Sequence, residues 1–302
     1  TSAWSDDNTI ATSNVTIDGY AEGGSTKRLK FTNANTTHGS RVIVVVGACE
    51  NTTIKNCIVE NTTTNTSSPV AIVAVVRKGT AIDVAPKNLV LDNNTITCNI
   101  STAGMGIRIT HSASSGTPTS KLTGLVCKNN VINAQRRILE MNYTNGGEIY
   151  SNTINLNQPT TASLGYGIWT STGCSGTFNI YGNKFVTISI GGNESSGTLG
   201  QRAMSLGGSV TCNVYNNTFA GMNRLGTATG QVNQTYIFFG CTGNIYNNTF
   251  YMPALTSSTV PGYYRAITLS SANPNIKNNI FISNEDNLTN ELIGSVTTGE
   301  SD

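Results

Sequence analysis

Charged residues are scarce in this sequence. Only 11% of its 302 residues are Asp, Glu, Lys or Arg, where soluble domains usually carry about 25%. Eighteen basic and sixteen acidic side chains leave a net charge of +2, so nothing calls for nucleic acid or an anionic membrane surface. Long stretches of helix formers are missing too, which excludes a Rossmann or TIM-barrel enzyme. The longest apolar run, Val70 to Val76, has strand length, far short of the roughly 20 residues of a membrane span. The seven cysteines (Cys49, Cys57, Cys98, Cys127, Cys174, Cys212 and Cys241) form no CxxC pair, and there are only two histidines. No metal site and no cofactor is expected. The cysteines read as small core residues, with one or two disulfides left open. Thr1 is not an initiator Met, which reads as a processed or excised segment.

What is abundant is polar and uncharged: 38 Asn, 44 Thr, 28 Ser and 31 Gly. Asn and Gly are turn residues and Thr is a strand residue. One phrase returns eight times: apolar, any residue, Asn or a small residue, Asn, any residue, apolar or Phe. It reads Ile54 to Val59, Leu91 to Ile96, Cys127 to Ile132, Ile149 to Ile154, Ile180 to Phe185, Val214 to Phe219, Ile245 to Phe250 and Ile276 to Phe281. A degenerate first copy is Ile17-Asp-Gly. A second strand recurs in the same rhythm, from Val42 to Val46 through Gly106 to Thr110 and Gly167 to Ser171 to Arg265 to Leu269. Spacings of about 22 to 37 residues are those of a solenoid.

One such unit cannot bury its own apolar face. Stacked units bury a continuous core and pair each strand with its counterpart in the next coil. The phrases predict about eight to nine coils in a single all-β domain, residues 1–302. An Asn at the same corner of each coil can hand its amide to the next. That predicts an Asn ladder of Asn94, Asn130, Asn152, Asn183, Asn217, Asn248 and Asn279, with Cys57 replacing it once.

On these phrases, and on Asn14 to Gly19, Arg28 to Asn33 and Asn51 to Ile58, the chain resembles the right-handed parallel β-helix of the pectate-lyase-like superfamily. More narrowly, it resembles the β-helix regions of large secreted bacterial surface proteins. The resemblance implies an extracellular or cell-surface setting. Lyases of this fold use clustered Asp residues for calcium with an Arg or Lys base, and hydrolases use several Asp residues with a His. Neither set can be carried over residue by residue, because the acidic residues here are scattered.

The best remaining cluster is Arg108, Glu140 and Trp169, which fall at one position of three successive coils with His111 nearby. A carboxylate, a His and an Arg beside an aromatic ring could hold or cleave a sugar. The plainer reading is a surface ion pair beside an exposed ring. His38 sits in a polar return segment. Tyr150, Tyr181, Tyr215 and Tyr246 occupy one outward slot of consecutive coils, filled elsewhere by Lys55, Asp92, Lys128 and Lys277. They read as a packing column, or as a strip for sugars or a partner. The connections Arg77 to Asn88 and His111 to Leu122 are longer than the others and read as neighbouring loops. A Thr row at Thr95, Thr153, Thr218 and Thr249 is broken by Val131 and Lys184, which argues against an ice-binding face.

The leading expectation is a non-catalytic structural module of a bacterial surface protein, whether adhesin, sheath or filament subunit. A polysaccharide lyase or hydrolase and a carbohydrate-binding module are the alternatives. Expected partners are a second copy head to tail, or surface glycans.

Overall fold

The structure is a computed structural model that describes residues 13–35, 40–64, 68–77, 83–100, 103–112, 118–157, 165–190, 202–224, 234–252, 264–270, 272–284 and 291–296. His38 and parts of the two long connections, 78–82 and 113–117, lie outside the described residues. All regular elements among the described residues are strands, and every ladder between them is parallel. No helix there is long and apolar enough to cross a membrane.

The strands stack in three columns of nine rungs each. The first column runs from Thr16–Asp18 through Thr144–Tyr150 and Ser175–Tyr181 to Asn275–Lys277. The second runs from Lys30–Asn33 through Thr153–Asn157 and Thr249–Met252 to Ile280–Ser283. The third runs from Arg41–Val46 through Arg137–Met141 and Tyr166–Thr170 to Glu291–Val296. Two long strands, Arg202–Tyr215 and Gln234–Tyr246, pass unbroken from the third column into the first. They merge those two columns into one 16-stranded sheet.

The Asn-Asn phrase makes the corner between the first and second columns. Its first residue holds a left-handed conformation, with φ 58 at Asn56, 52 at Asn93, 55 at Asn216 and 53 at Asn278. Asn tolerates this geometry because its short side chain bonds locally. The second residue points inward and is buried. Asn130 Nδ2 donates to Asn152 Oδ1 at 3.0 Å, and the Asn130 backbone N–H donates to the same oxygen at 3.0 Å. Asn130 Nδ2 also donates to Leu91 O, one rung back, at 2.9 Å. The same three bonds link Asn94, Asn152, Asn183, Asn217 and Asn248 to their neighbours, and Asn279 closes the column by donating to Ile245 O. Each inward amide thus finds donors and acceptors in a dry interior, where an unpaired one is costly.

Inside, identical positions stack. Phe185, Phe219, Phe250 and Phe281 lie ring on ring at 4.7, 4.8 and 5.1 Å. That is the rung spacing of a parallel sheet, about 4.8 Å. Six of the seven cysteines are buried and all are free thiols. Burial pushes Cys98 and Cys127 up to about 12, which keeps them as unreactive thiols. Alkylating the native chain should therefore label Cys49 well before the other six, with full labelling only after unfolding. Mass spectrometry of the native protein would read this, and prompt labelling of Cys127 would count against the packed interior.

The third column departs from simple alternation. In every rung from the third to the eighth, two consecutive residues turn inward: Gly106 and Ile107, Ile138 and Leu139, Gly167 and Ile168, Ala203 and Met204, Tyr236 and Ile237, Ala266 and Ile267. A Cβ at Gly167 would lie 2.3 Å from Ala203 O, so this position demands glycine. The outward residues of these rungs are consequently three apart rather than two, which brings i and i+3 side by side on the outer surface.

Candidate functional site

That bulge builds an aromatic and basic surface on the third column. One outward row reads Arg137, Tyr166, Arg202; the adjoining row reads Arg108, Glu140, Trp169, Ser205, Phe238. Arg108, Glu140 and Trp169 are direct register partners. Their partner Arg137, absent from the sequence reading, joins them through the i,i+3 offset.

Glu140 requires a correction. It is not part of a surface pair: only 2% of the residue is exposed. Its Oε2 accepts Arg137 Nη1 at 2.7 Å and lies 3.2 Å from Arg108 Nε, the latter an ion pair without hydrogen-bond alignment. Its Oε1 accepts Asn142 Nδ2 at 3.1 Å. Both carboxylate oxygens are thus committed to protein donors. The same Arg137 lays its guanidinium over the Trp169 ring, 4.4 Å from the centroid. Next to it, burial and the charge of Arg137 lower the affinity of the Arg136 guanidinium for its proton. Burial is paid for here by one carboxylate shared among cations.

His111 does not join this cluster. It lies at the edge of the face, its ring 4.5 Å from that of Tyr143. Burial and, after it, the charge of Arg108 lower its pKa. Across the third-column rungs from Met105–Ser112 to the start of Gln234–Tyr246, Glu140 is the acidic residue. A two-carboxylate cleavage of a glycosidic bond needs a second acid facing the first.

Above Trp169 the surface opens into a groove of about 480 Å³, lined by Tyr166, Trp169, Thr172, Arg202, Ser205, Gly208 and Phe238 among others. Ser205 leaves a gap in the row between two aromatic rings. Trp169 and Phe238 stand two rungs apart, roughly 10 Å. Arg202 fills one side of the gap, its guanidinium 3.7 Å from the Phe238 centroid and bonded to Ser205 Oγ at 3.1 Å. The far wall is a bulge: residues 208–210 of one rung face a single residue of the next. Gly208 holds φ 87 with open space where a Cβ would stand. Trp169 and Phe238 are partly exposed, and with the Arg202 guanidinium and nearby hydroxyls they line a concave surface. The period-2 reading missed Tyr166, Arg202, Ser205 and Phe238, because the bulge that brings them together is invisible to alternation. The recurring Gly and Ala at its inward position (Gly106, Gly167, Ala203, Ala266) were the available signal.

The tyrosines sit on the first column. Tyr150, Tyr181, Tyr215 and Tyr246 stack at 4.8, 4.8 and 5.0 Å, with interplanar angles of 4–5°. Rings this close cover one another's faces, so the strip offers edges and hydroxyls to its surroundings. Beside it runs a second row, in which Asn179 donates to Glu148, Asn213 to Asn179, Asn244 to Asn213 and Asn275 to Asn244 at 2.7–3.0 Å. Burial, with the Glu148 charge next, pushes the Tyr181 phenol up to about 12. Earlier in the same row as the tyrosines, Lys55 pairs with Asp18 at 3.0 Å and Lys128 with Asp92 at 3.4 Å.

Neither a protein-family model nor a curated protein sequence matches the chain. Among solved structures it is similar to the surface protein and adhesin PfbA of Streptococcus pneumoniae. One structure of that protein superposes with a TM-score of 0.57 at 11% identity, covering 94% of this chain and 67% of PfbA. The chain is an all-β parallel β-helix. A second PfbA crystal structure matches with a TM-score of 0.34 at 12% identity, covering 97% of this chain and 72% of that one. Identity this low carries the fold and nothing of PfbA's binding.

Proposed function

We propose that the chain is a non-catalytic module of an extracellular or cell-surface protein, with an adhesin-like role, and that the third-column groove binds carbohydrate. The observation that carries this reading is the state of Glu140. The acid of this face is buried, and its oxygens are occupied by Arg137, Arg108 and Asn142, while the groove beside it keeps aromatic rings and Arg202 at its surface. A carboxylate buried and clamped in this way holds the groove wall in place and is poorly placed to take a proton from a substrate in the groove. The fold shared with a surface adhesin supports the same setting by analogy. A structural role as a sheath or filament subunit is compatible with this module, since the groove occupies one face of a long solenoid.

The test is a glycan array with the 302-residue chain, together with assays for new reducing ends and unsaturated products. The expected result is retention of a glycan set without cleavage. Trp169→Ala should lower that binding about tenfold or more, with melting little changed. Cleavage of a bound polysaccharide would establish the enzyme reading instead. Binding that survives Trp169→Ala intact would place the site elsewhere, the tyrosine strip first.

A further inference from the structure

The two ends of the solenoid match each other. Among the described residues, Thr16–Asp18, Lys30–Asn33 and Arg41–Val46 pair on one side only, and so do Asn275–Lys277, Ile280–Ser283 and Glu291–Val296. The first-rung strands have 3, 4 and 6 residues, and the last-rung strands have 3, 4 and 6 in the same columns. The core rows also begin and end on matching residues. One row starts at Ile17 and ends at Ile276, a second starts at Phe31 and ends at Phe281, a third starts at Ile43 and ends at Ile293.

These end residues are incompletely covered. One rung inward, Ile54, Val59, Ile72, Ile245, Phe250 and Ile267 are all 0% exposed. At the last rung Ile293, which ends a core row, is 45% exposed, and the outward-facing Ile280 and Ile282 add 57% and 43% exposed apolar side chains beside it. Ile17, Phe31, Ile43, Ile276 and Phe281 are only partly buried. Charge is complementary along the outward row as well. It runs Asp18, Lys55, Asp92, Lys128, then the four tyrosines, and ends on Lys277. A neighbour's Asp18 placed on Lys277 would restore the alternation that Lys55 and Asp18 already show at 3.0 Å.

We propose that a second copy of this chain docks end to end, its first rung continuing the three columns beyond the last rung, with Ile276 against Ile17, Phe281 against Phe31 and Lys277 against Asp18. The pairing is strand addition at three edges at once. Because the two surfaces differ, the contact is heterologous and repeats without closing, which yields a filament of continuous parallel sheet. It rests on reading the chain as a structural module and is independent of the groove.

The experiment is sedimentation velocity and electron microscopy of the full 302-residue chain across a hundredfold concentration range. The expected result is a ladder of linear oligomers. Lys277→Glu, an exposed change that leaves the core intact, should weaken association at least tenfold. Phe31→Asp blocks one end and Phe281→Asp the other; each alone should be monomeric, and an equal mixture should form a 1:1 dimer and nothing larger. Circular dichroism on each variant separates loss of assembly from loss of fold. Three results would overturn the proposal: a wild-type monomer throughout the range, dimerisation of either blocked variant by itself, or association unaffected by Lys277→Glu. Trp169→Ala should assemble as wild type even if glycan binding is lost, and a failure there would move the contact to the groove.

Discussion

Asn217→Leu should cost about 3–5 kcal/mol, several times the effect of changing its neighbour Asn216. Asn217 is 1% exposed. Its Oδ1 accepts the Asn183 backbone N–H and Asn183 Nδ2, both at 3.0 Å. Its Nδ2 donates to Ile180 O at 2.9 Å, Tyr215 O at 3.1 Å and Asn248 Oδ1 at 3.0 Å. Leucine has a similar volume but offers none of these groups. The Asn183 backbone N–H loses its acceptor and Ile180 O a donor, in an interior that water does not reach. Each stranded group costs about 1–3 kcal/mol. Asn216 is exposed and sits at φ 55, a conformation glycine adopts freely. Asn216→Gly should therefore stay within about 0.5 kcal/mol. Equilibrium urea denaturation of both variants decides the matter: equal small losses would show that the amide column is ornamental to stability.

That contrast between two adjacent asparagines also marks what the sequence disclosed. Both stand in the same repeated phrase, and repetition alone located the corner, the coil count and the inward position of Asn217. The slot of Tyr150, Tyr181, Tyr215 and Tyr246 was legible for the same reason, because register in a parallel solenoid copies one position from rung to rung. What repetition cannot carry is depth. Glu140 follows the alternation of an outward residue, yet the bulge at Ile138 and Leu139 draws Arg137 across it and closes it off. Burial of an outward side chain depends on what lies beside it in neighbouring rungs, and that information is three-dimensional. The groove was hidden likewise: Ser205 is unremarkable in sequence and matters because it stands between Trp169 and Phe238.

Glu140→Gln should destabilise the chain by about 3 kcal/mol, through the charges it leaves behind rather than the one it removes. Arg137 and Arg108, with side chains 14% and 30% exposed, would keep their positive charges beside a neutral amide whose NH2 group competes for the same space. Removing one partner of a buried ion pair typically costs about 3–5 kcal/mol, and the partial exposure of Arg108 lets water offset some of that. The companion variant Arg137→Met deletes one of the two cations and keeps an apolar stem to cover Trp169. If the shared oxygen is the cause, the double variant should lose less than the two single losses added, by about 1–2 kcal/mol. The indole reports on the same event, because Arg137 lies 4.4 Å over the Trp169 ring. Freeing that guanidinium should shift the tryptophan emission in Glu140→Gln and relax the wall of the groove. A Glu140→Gln variant as stable as wild type, with strictly additive losses in the double variant, would mean that the carboxylate is not the clamp. It would then be an acid with room to act, and the case for a binding surface over a reaction centre would fail at its strongest point.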